Sequence, residues 1–164
     1  MLVIYIGDAN DVVKRITTNH CRGNVEGSAF RYHVAEKMGY KIKMTKRVSG
    51  NVRKRIDLPD PRIGEKVISE YIKSCAWKFV LCDTYDEAHD FQWYVIEKLQ
   101  PLLNKDYKSW DTTKSEQYQI LLSKLIASPL LICDELRIEH TGPGVYAFYH
   151  QNEPKNHLEK FGGD

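Results

Sequence analysis

The chain has no apolar run approaching the ~20 residues of a membrane-spanning helix and no basic segment followed by a short apolar one at its start. The expectation is a soluble protein with no membrane partner and no secretory leader. It has no C-x-x-C pair. Cys21, Cys75, Cys82 and Cys133 stand far apart, which argues against zinc and for reduced thiols in the cytoplasm. Repeats and low-complexity tracts are missing, and so is a strong net charge: +2 over 164 residues does not by itself argue for nucleic acid. What remains is the length of one compact domain, able to bury a core without staples.

The charge that is present is unevenly placed. Residues 1–104 carry 17 Lys and Arg against 13 Asp and Glu, and the remainder 7 against 9. Between Lys37 and Arg55 the bases Lys37, Lys41, Lys43, Lys46, Arg47, Arg53, Lys54 and Arg55 occur with no acid among them. Such a run is either a surface that tracks phosphates, if the bases share a face, or a solvated hairpin.

Periodicity and capping residues divide the chain. Leu2 to Gly7 reads as a buried strand. Asn10 or Asp11 caps a short helix with Val12, Val13 and Ile16 inward, and Ser28 caps one through Phe30, Val34 and Met38 that Gly39 stops. Lys41 to Val48 alternates as a half-exposed strand with Ile42, Met44 and Val48 on one side. Asp60-Pro61 opens a helix whose stripe, Ile63, Val67, Ile68, Tyr71 and Ile72, is expected in the core. Trp77 to Cys82 is a strand. Thr84 to Glu87 is a capping box for a helix ending before Pro101, Thr113 caps another to about Ala127, and Gly144 to Tyr149 is the last strand. The residues from about Gln151 read as loosely held.

One stretch can carry chemistry. Tyr5-Ile6-Gly7 ends the first strand, and Arg15 follows one helical turn later, so a phenol and a fixed cation can converge on a phosphate. Together with Asn19-His20 and the later helix, this order resembles the GIY-YIG nucleases, which include homing endonucleases, some restriction enzymes and the incision subunit of bacterial nucleotide excision repair. Tyr5-Ile6-Gly7 is similar to the YIG half. The GIY half is missing ahead of it and reappears as Gly144-Val145-Tyr146. The resemblance therefore implies a circular permutation of a single domain, with residues 1–104 carrying YIG to the metal-site helix and 140–164 the GIY strand. A monomer or a dimer that swaps this strand are both compatible with it. The implied fold is α+β, a small antiparallel sheet of three or more strands flanked by helices.

The resemblance also implies roles. Tyr5, Arg15, His20 and Tyr146 would be catalytic, with Tyr5 orienting or activating water, Tyr146 positioning the phosphate, and Arg15 and His20 stabilising charge. Gly7 and Asn104 would support the site. The family's metal-binding glutamate falls on Gln92, so Mg2+ or Mn2+ would be bound weakly or not at all, unless Asp8 or Asp90 supplies the charge. A solvated turn or a helix cap is the simpler role for Asp8. Arg31, Lys43, Lys46, Arg47, Arg53, Lys54 and Arg55 would contact nucleic acid, DNA rather than RNA. The readings are a metal-dependent endonuclease, a binding domain of the same fold that does not cleave, and, with least support, an interaction domain using the helix around Gln117 to Ala127.

Overall fold

The computed structural model describes residues 1–134 and 140–156. Strand β1 (Leu2–Ala9) is built from β-branched and aromatic side chains that suit a pleated surface. Asp11 caps the short helix α1 (Val12–Lys14) by accepting from the Lys14 N–H, and α1 widens at once into a π-helical turn, Arg15–His20. Such turns re-aim side chains and are frequent at functional sites. Ser28 caps α2 (Ala29–Lys37), which ends before Gly39 at φ +91°. The hairpin β2 (Ile42–Lys46) and β3 (Val52–Ile56) is followed by α3 (Pro61–Ser74), capped by Asp60. Then come β4 (Ala76–Leu81), α4 (Tyr85–Leu99) capped by Thr84, α5 (Ser115–Ala127) and β5 (Gly144–His150).

The last strand is the middle one. β5 lies between β1 and β4 and is antiparallel to both, with Gly7 opposite Tyr146 and Tyr5 opposite Phe148. Successive residues of a strand point to opposite faces. Tyr146 and Phe148 therefore enter one core with Ile4, Phe30, Ile68 and Ile72, and Val145 and Ala147 enter a second with Ile6, Phe91, Val95 and Tyr118. Helices α2 and α3 cover the first face, α4 and α5 the second. This is the α+β architecture with an antiparallel three-stranded sheet that was expected.

The outer edge of β1 is also satisfied. The N–H groups of Leu102 and Leu103 donate to Val3 and Ile4, and the Asn104 amide takes both backbone groups of Ile6. An edge strand left bare would present a row of unpaired groups.

Several expectations need correction. Cys21 and Cys133 are disulfide-bonded, with Cα atoms 6.1 Å apart, while Cys75 and Cys82 are the buried free thiols. Ile63 is 63% exposed, because the side of α3's first turn that meets its neighbours is at Gly64, against Ile56 and Leu58; only Ile68 and Ile72 of the stripe are fully enclosed. The hairpin has no apolar face against the core beyond its base, where Ile56 is buried: Met44 and Val48 both lie in solvent. Thr113 does not cap α5; it sits in a 3-10 turn capped by Asp111, and α5 starts at Ser115. Of the tail read as loosely held, residues 157–164 lie outside the described residues, as does part of the segment assigned to the GIY strand and its following loop.

Candidate active site

Gly7 has no side chain, and Tyr146 uses the space. A Cβ on Gly7 would fall 2.3 Å from the Tyr146 hydroxyl oxygen, so the phenol reaches past β1 only because that position is glycine. Tyr146 Oη lies 2.5 Å from His20 Nε2, and His20 Nδ1 lies 2.6 Å from Ser28 Oγ. Arg15 lies near enough to Tyr146 to pull its hydroxyl down, and donates to the Gly27 carbonyl at 3.0 Å. His20 bridges Tyr146 and Ser28 through its two ring nitrogens, one donating and the other accepting, while Ser28 Oγ also accepts the Arg31 N–H at 3.1 Å.

Burial sets the protonation of this line. His20 is enclosed, and burial first, then Arg15 and Arg31, holds its imidazole well below the usual range, so it is neutral. Burial likewise pushes the Tyr146 hydroxyl well up, with a further push from Tyr5 that Arg15 opposes. Tyr5 stacks on Phe30 with ring centroids 4.8 Å apart. Burial raises its hydroxyl to about 12, against the pull of Arg15. Both phenols are protonated at neutral pH.

The second half of the site lies across the β1 edge. Gln92 and Tyr5 line one cavity of about 270 Å³, together with His33, Asn104 and Lys105. Gln92 is buried and its amide nitrogen donates to Asp8 Oδ2 at 2.8 Å; His89 Nδ1 approaches the same oxygen at 2.8 Å. Asp8 is thus neither a cap nor a solvated turn, but the partner of two α4 side chains. Its charge is felt at Tyr5, Tyr146 and Tyr85. Asp90, the other candidate acid, points elsewhere, accepting from Tyr118 Oη and the Asp111 N–H.

The family described as GIY-YIG catalytic domain matches residues 1–124. The chain belongs to the GIY-YIG family. No curated protein and no solved structure matches it. The match runs from the YIG strand through α4 and Asn104, and β5, with Gly144-Val145-Tyr146, follows it. GIY-YIG catalytic domains are nucleases and generally depend on a divalent metal. Among the described residues no group of three or more His, Cys, Asp and Glu is placed to hold a metal. The donors around Gln92 nevertheless include one carboxylate, Asp8, beside an amide that can turn its oxygen inward, and this set fits a divalent cation at reduced charge.

Of the residues read from the sequence, Tyr5, Gly7, Arg15, His20, Tyr146, Gln92 and Asn104 gather at this end of β1. Arg31 does not join them at the surface. Its guanidinium is fully buried, paired with Glu65 at 2.8 Å and donating to the His20 carbonyl at 3.0 Å and to Ser69. Its role as a phosphate contact is therefore replaced by one of bracing the π-helical turn against α3. The hairpin bases do not share one face either. Lys43 pairs with Arg55 and Thr45 with Arg53, placing those three bases on one side, while Lys54 and Lys46 lie on the other. Arg47 is held by Glu26 at 2.9 Å, and Lys54 lies over the Tyr32 ring at 5.4 Å. Sequence reasoning missed Ser28 as a partner of His20, and Tyr85 and His89 beside Asp8. His89 was findable: it sits three residues before Gln92 on one helix face.

Proposed function

We propose that this chain is an endonuclease that hydrolyses phosphodiester bonds of nucleic acid. The observation that carries this reading is the hydrogen-bonded line from Tyr146 through His20 to Ser28, with the Arg15 charge acting on Tyr146 and the Tyr5 ring beside His20. In hydrolysis the water oxygen bonds to phosphorus, the bond from phosphorus to the leaving oxygen breaks, and a water proton must be removed. A protonated phenol is no base by itself. In the tautomer of neutral His20 protonated at Nδ1, Tyr146 takes the water proton as its own passes to Nε2, with Ser28 accepting from Nδ1. Arg15 stabilises charge on the phosphoryl oxygens and Tyr5 orients the water, positioning and electrostatic roles that together supply several kcal/mol. A divalent cation, Mg2+ or Mn2+, would neutralise charge on the scissile phosphate, held by Asp8 and Gln92.

DNA is the proposed substrate, with Lys43, Arg53 and Arg55 on one hairpin face meeting its phosphates and giving affinity that falls steeply with salt. We further propose that β5 is the displaced GIY strand, so that the order of the two half-motifs is reversed along the chain and a monomer supplies both. A second reading, a nucleic-acid-binding domain that does not cleave, is favoured by one observation: the family carboxylate position is the neutral Gln92.

Nicking of supercoiled plasmid with Mg2+ or Mn2+ tests both. The native chain should nick, and Tyr146→Phe should lose activity about 100-fold or more, as removal of a proton-transfer group does. Nicking that appears only in Gln92→Glu selects the binding reading. Nicking that survives unchanged in both Tyr146→Phe and Arg15→Ala refutes the mechanism.

A further inference from the structure

We infer, resting on the nuclease reading above, that Trp93, Tyr107 and Trp110 form a stacking site for an unpaired base of the substrate strand, so that the chain acts on DNA where the duplex is open beside the scissile phosphate. Trp93 follows Gln92 on α4 and lines two neighbouring cavities. One is the cavity of about 270 Å³ that holds Tyr5 and Gln92; the other, of about 390 Å³, is shared with Tyr107, Lys108 and Trp110. The second is in the ordinary size range of small-ligand pockets. A strand whose phosphate lies by Tyr5 therefore has an aromatic cleft next to it.

The far wall of that cleft starts at the catalytic end of β1. Asn104 is bound to both backbone groups of Ile6, and the chain then runs back along α4. Lys108 Nζ lies 5.4 Å from the centre of the Trp93 ring, Trp110 Nε1 donates to Glu97 Oε2 at 2.8 Å, and the Asp111 N–H donates to Asp90. Trp110 meets Tyr94 edge-on with ring centroids 4.8 Å apart, and His89 meets Trp93 in the same way at 6.0 Å. Both indoles are thus set before a ligand arrives, which keeps down the ordering cost of binding. Tyr107, in the same cleft, is 55% exposed.

Rings offer faces, and a base shows its face only outside the duplex stack. Stacking on aromatic side chains tolerates any sequence, because every base has a π-face. The Lys108 ammonium rests over Trp93 in the free chain on a flexible stem; as a base takes its place on the ring, it moves to the phosphate joined to that base. Glu97, the acid in the cleft, is engaged by Trp110 and has Lys98 Nζ 4.0 Å away, which offsets its repulsion of phosphate. A proline-rich peptide also docks on aromatic grooves, but it carries no phosphate for Lys108 or Arg15.

The test uses the full chain in EDTA, to hold back cleavage, with its own tryptophans as reporters. Of the three, Trp77 is fully buried and out of a ligand's reach. Titration with an oligothymidylate of about 16 nucleotides should quench the emission, and a duplex of the same length should not. Trp93→Ala and Tyr107→Ala should each weaken single-strand binding about tenfold, with circular dichroism checking that they fold. An oligonucleotide of abasic sugars keeps every phosphate and leaves the protein unaltered; it should bind about tenfold more weakly and quench nothing. Equal affinity for the abasic and the normal strand, full quenching by the duplex, or unchanged binding in both variants overturns the inference. An emission change with a proline decapeptide and none with oligothymidylate overturns it in favour of a peptide groove. With Mg2+ or Mn2+ restored, nicking by a chain that shows no quenching overturns the inference alone; quenching with these signatures by a chain that cuts neither plasmid nor oligonucleotide overturns the nuclease reading alone.

Discussion

Replacing Asn104 with alanine strips the edge of β1 at the residue between Tyr5 and Gly7. The amide accepts from the Ile6 N–H at 2.9 Å and donates to the Ile6 carbonyl at 2.8 Å, acting as a one-residue substitute for a fourth strand. Each such bond contributes about 1 kcal/mol net, and a group left dry and unpaired costs about 1–3 kcal/mol. The site is part-buried, so water recovers some of that, and the expected loss is about 2–4 kcal/mol. For a chain of this size that lowers Tm by about 5–15 °C. The assay is urea unfolding at 25 °C followed by tryptophan fluorescence, with m compared between variants. Asn104→Asp adds a diagnostic. Its carboxylate keeps the acceptor but sets a second oxygen against the Ile6 carbonyl, so at pH 7 it should be at least as destabilised as alanine. A protonated carboxyl donates again; its folded pKa is therefore raised, and the lost stability returns as pH falls toward about 4. An alanine variant within about 0.5 kcal/mol of the native chain would refute the idea that this amide holds the strand.

Gly7→Ala drives a methyl into the Tyr146 ring and should cost about 1–3 kcal/mol from overpacking, read by the same denaturation, and abolish nicking even where the chain folds. His20 stays neutral when folded but titrates near 6.5 when unfolded, so the unfolded state binds more protons below that pH and stability must fall as the solution is acidified. Comparing urea midpoints at pH 7 and 5 for the native chain and His20→Gln checks this; equal slopes count against a buried neutral imidazole. Cys133→Ser opens a cross-link between residues 112 apart, and loop-closure entropy puts the loss at about 3–5 kcal/mol, measurable as a reductant-sensitive Tm in the native chain that the variant lacks.

How far the fold could be read depended on the range of the signal. Strands, caps and helix stops at Leu2–Gly7, Ser28, Gly39, Asp60 and Thr84 are written in neighbouring residues, and the structure has them there. Tyr146 was found only by its similarity to half a motif, since nothing local ties it to Gly7. The Cys21–Cys133 bond joins parts of the chain that no spacing rule connects. Arg31 shows a different limit: an arginine's identity does not say whether its charge faces solvent, and here Glu65, thirty-four residues on, decides it. Ile63 keeps the helical period of its stripe, yet in the first turn of α3 it is the neighbouring Gly64 that packs against Ile56 and Leu58, while Ile63 lies in solvent. The hairpin bases were legible as a run, but the pairing of Lys43 with Arg55 is a register, and register needs the turn and its partner strand.

Placing β5 at the centre of the sheet has a consequence for how the polypeptide is made. A ribosome delivers β1 first and β5 last, and His20 and Tyr146 are 126 residues apart. Until Gly144–His150 has left the exit tunnel, β1 and β4 have no central strand between them, and His20 lacks its Tyr146 partner. Non-local pairing of this kind slows folding and leaves strand edges exposed to other chains. Neither the His20–Tyr146 hydrogen bond nor the close approach of Tyr146 to Gly7 can form until that strand is in place.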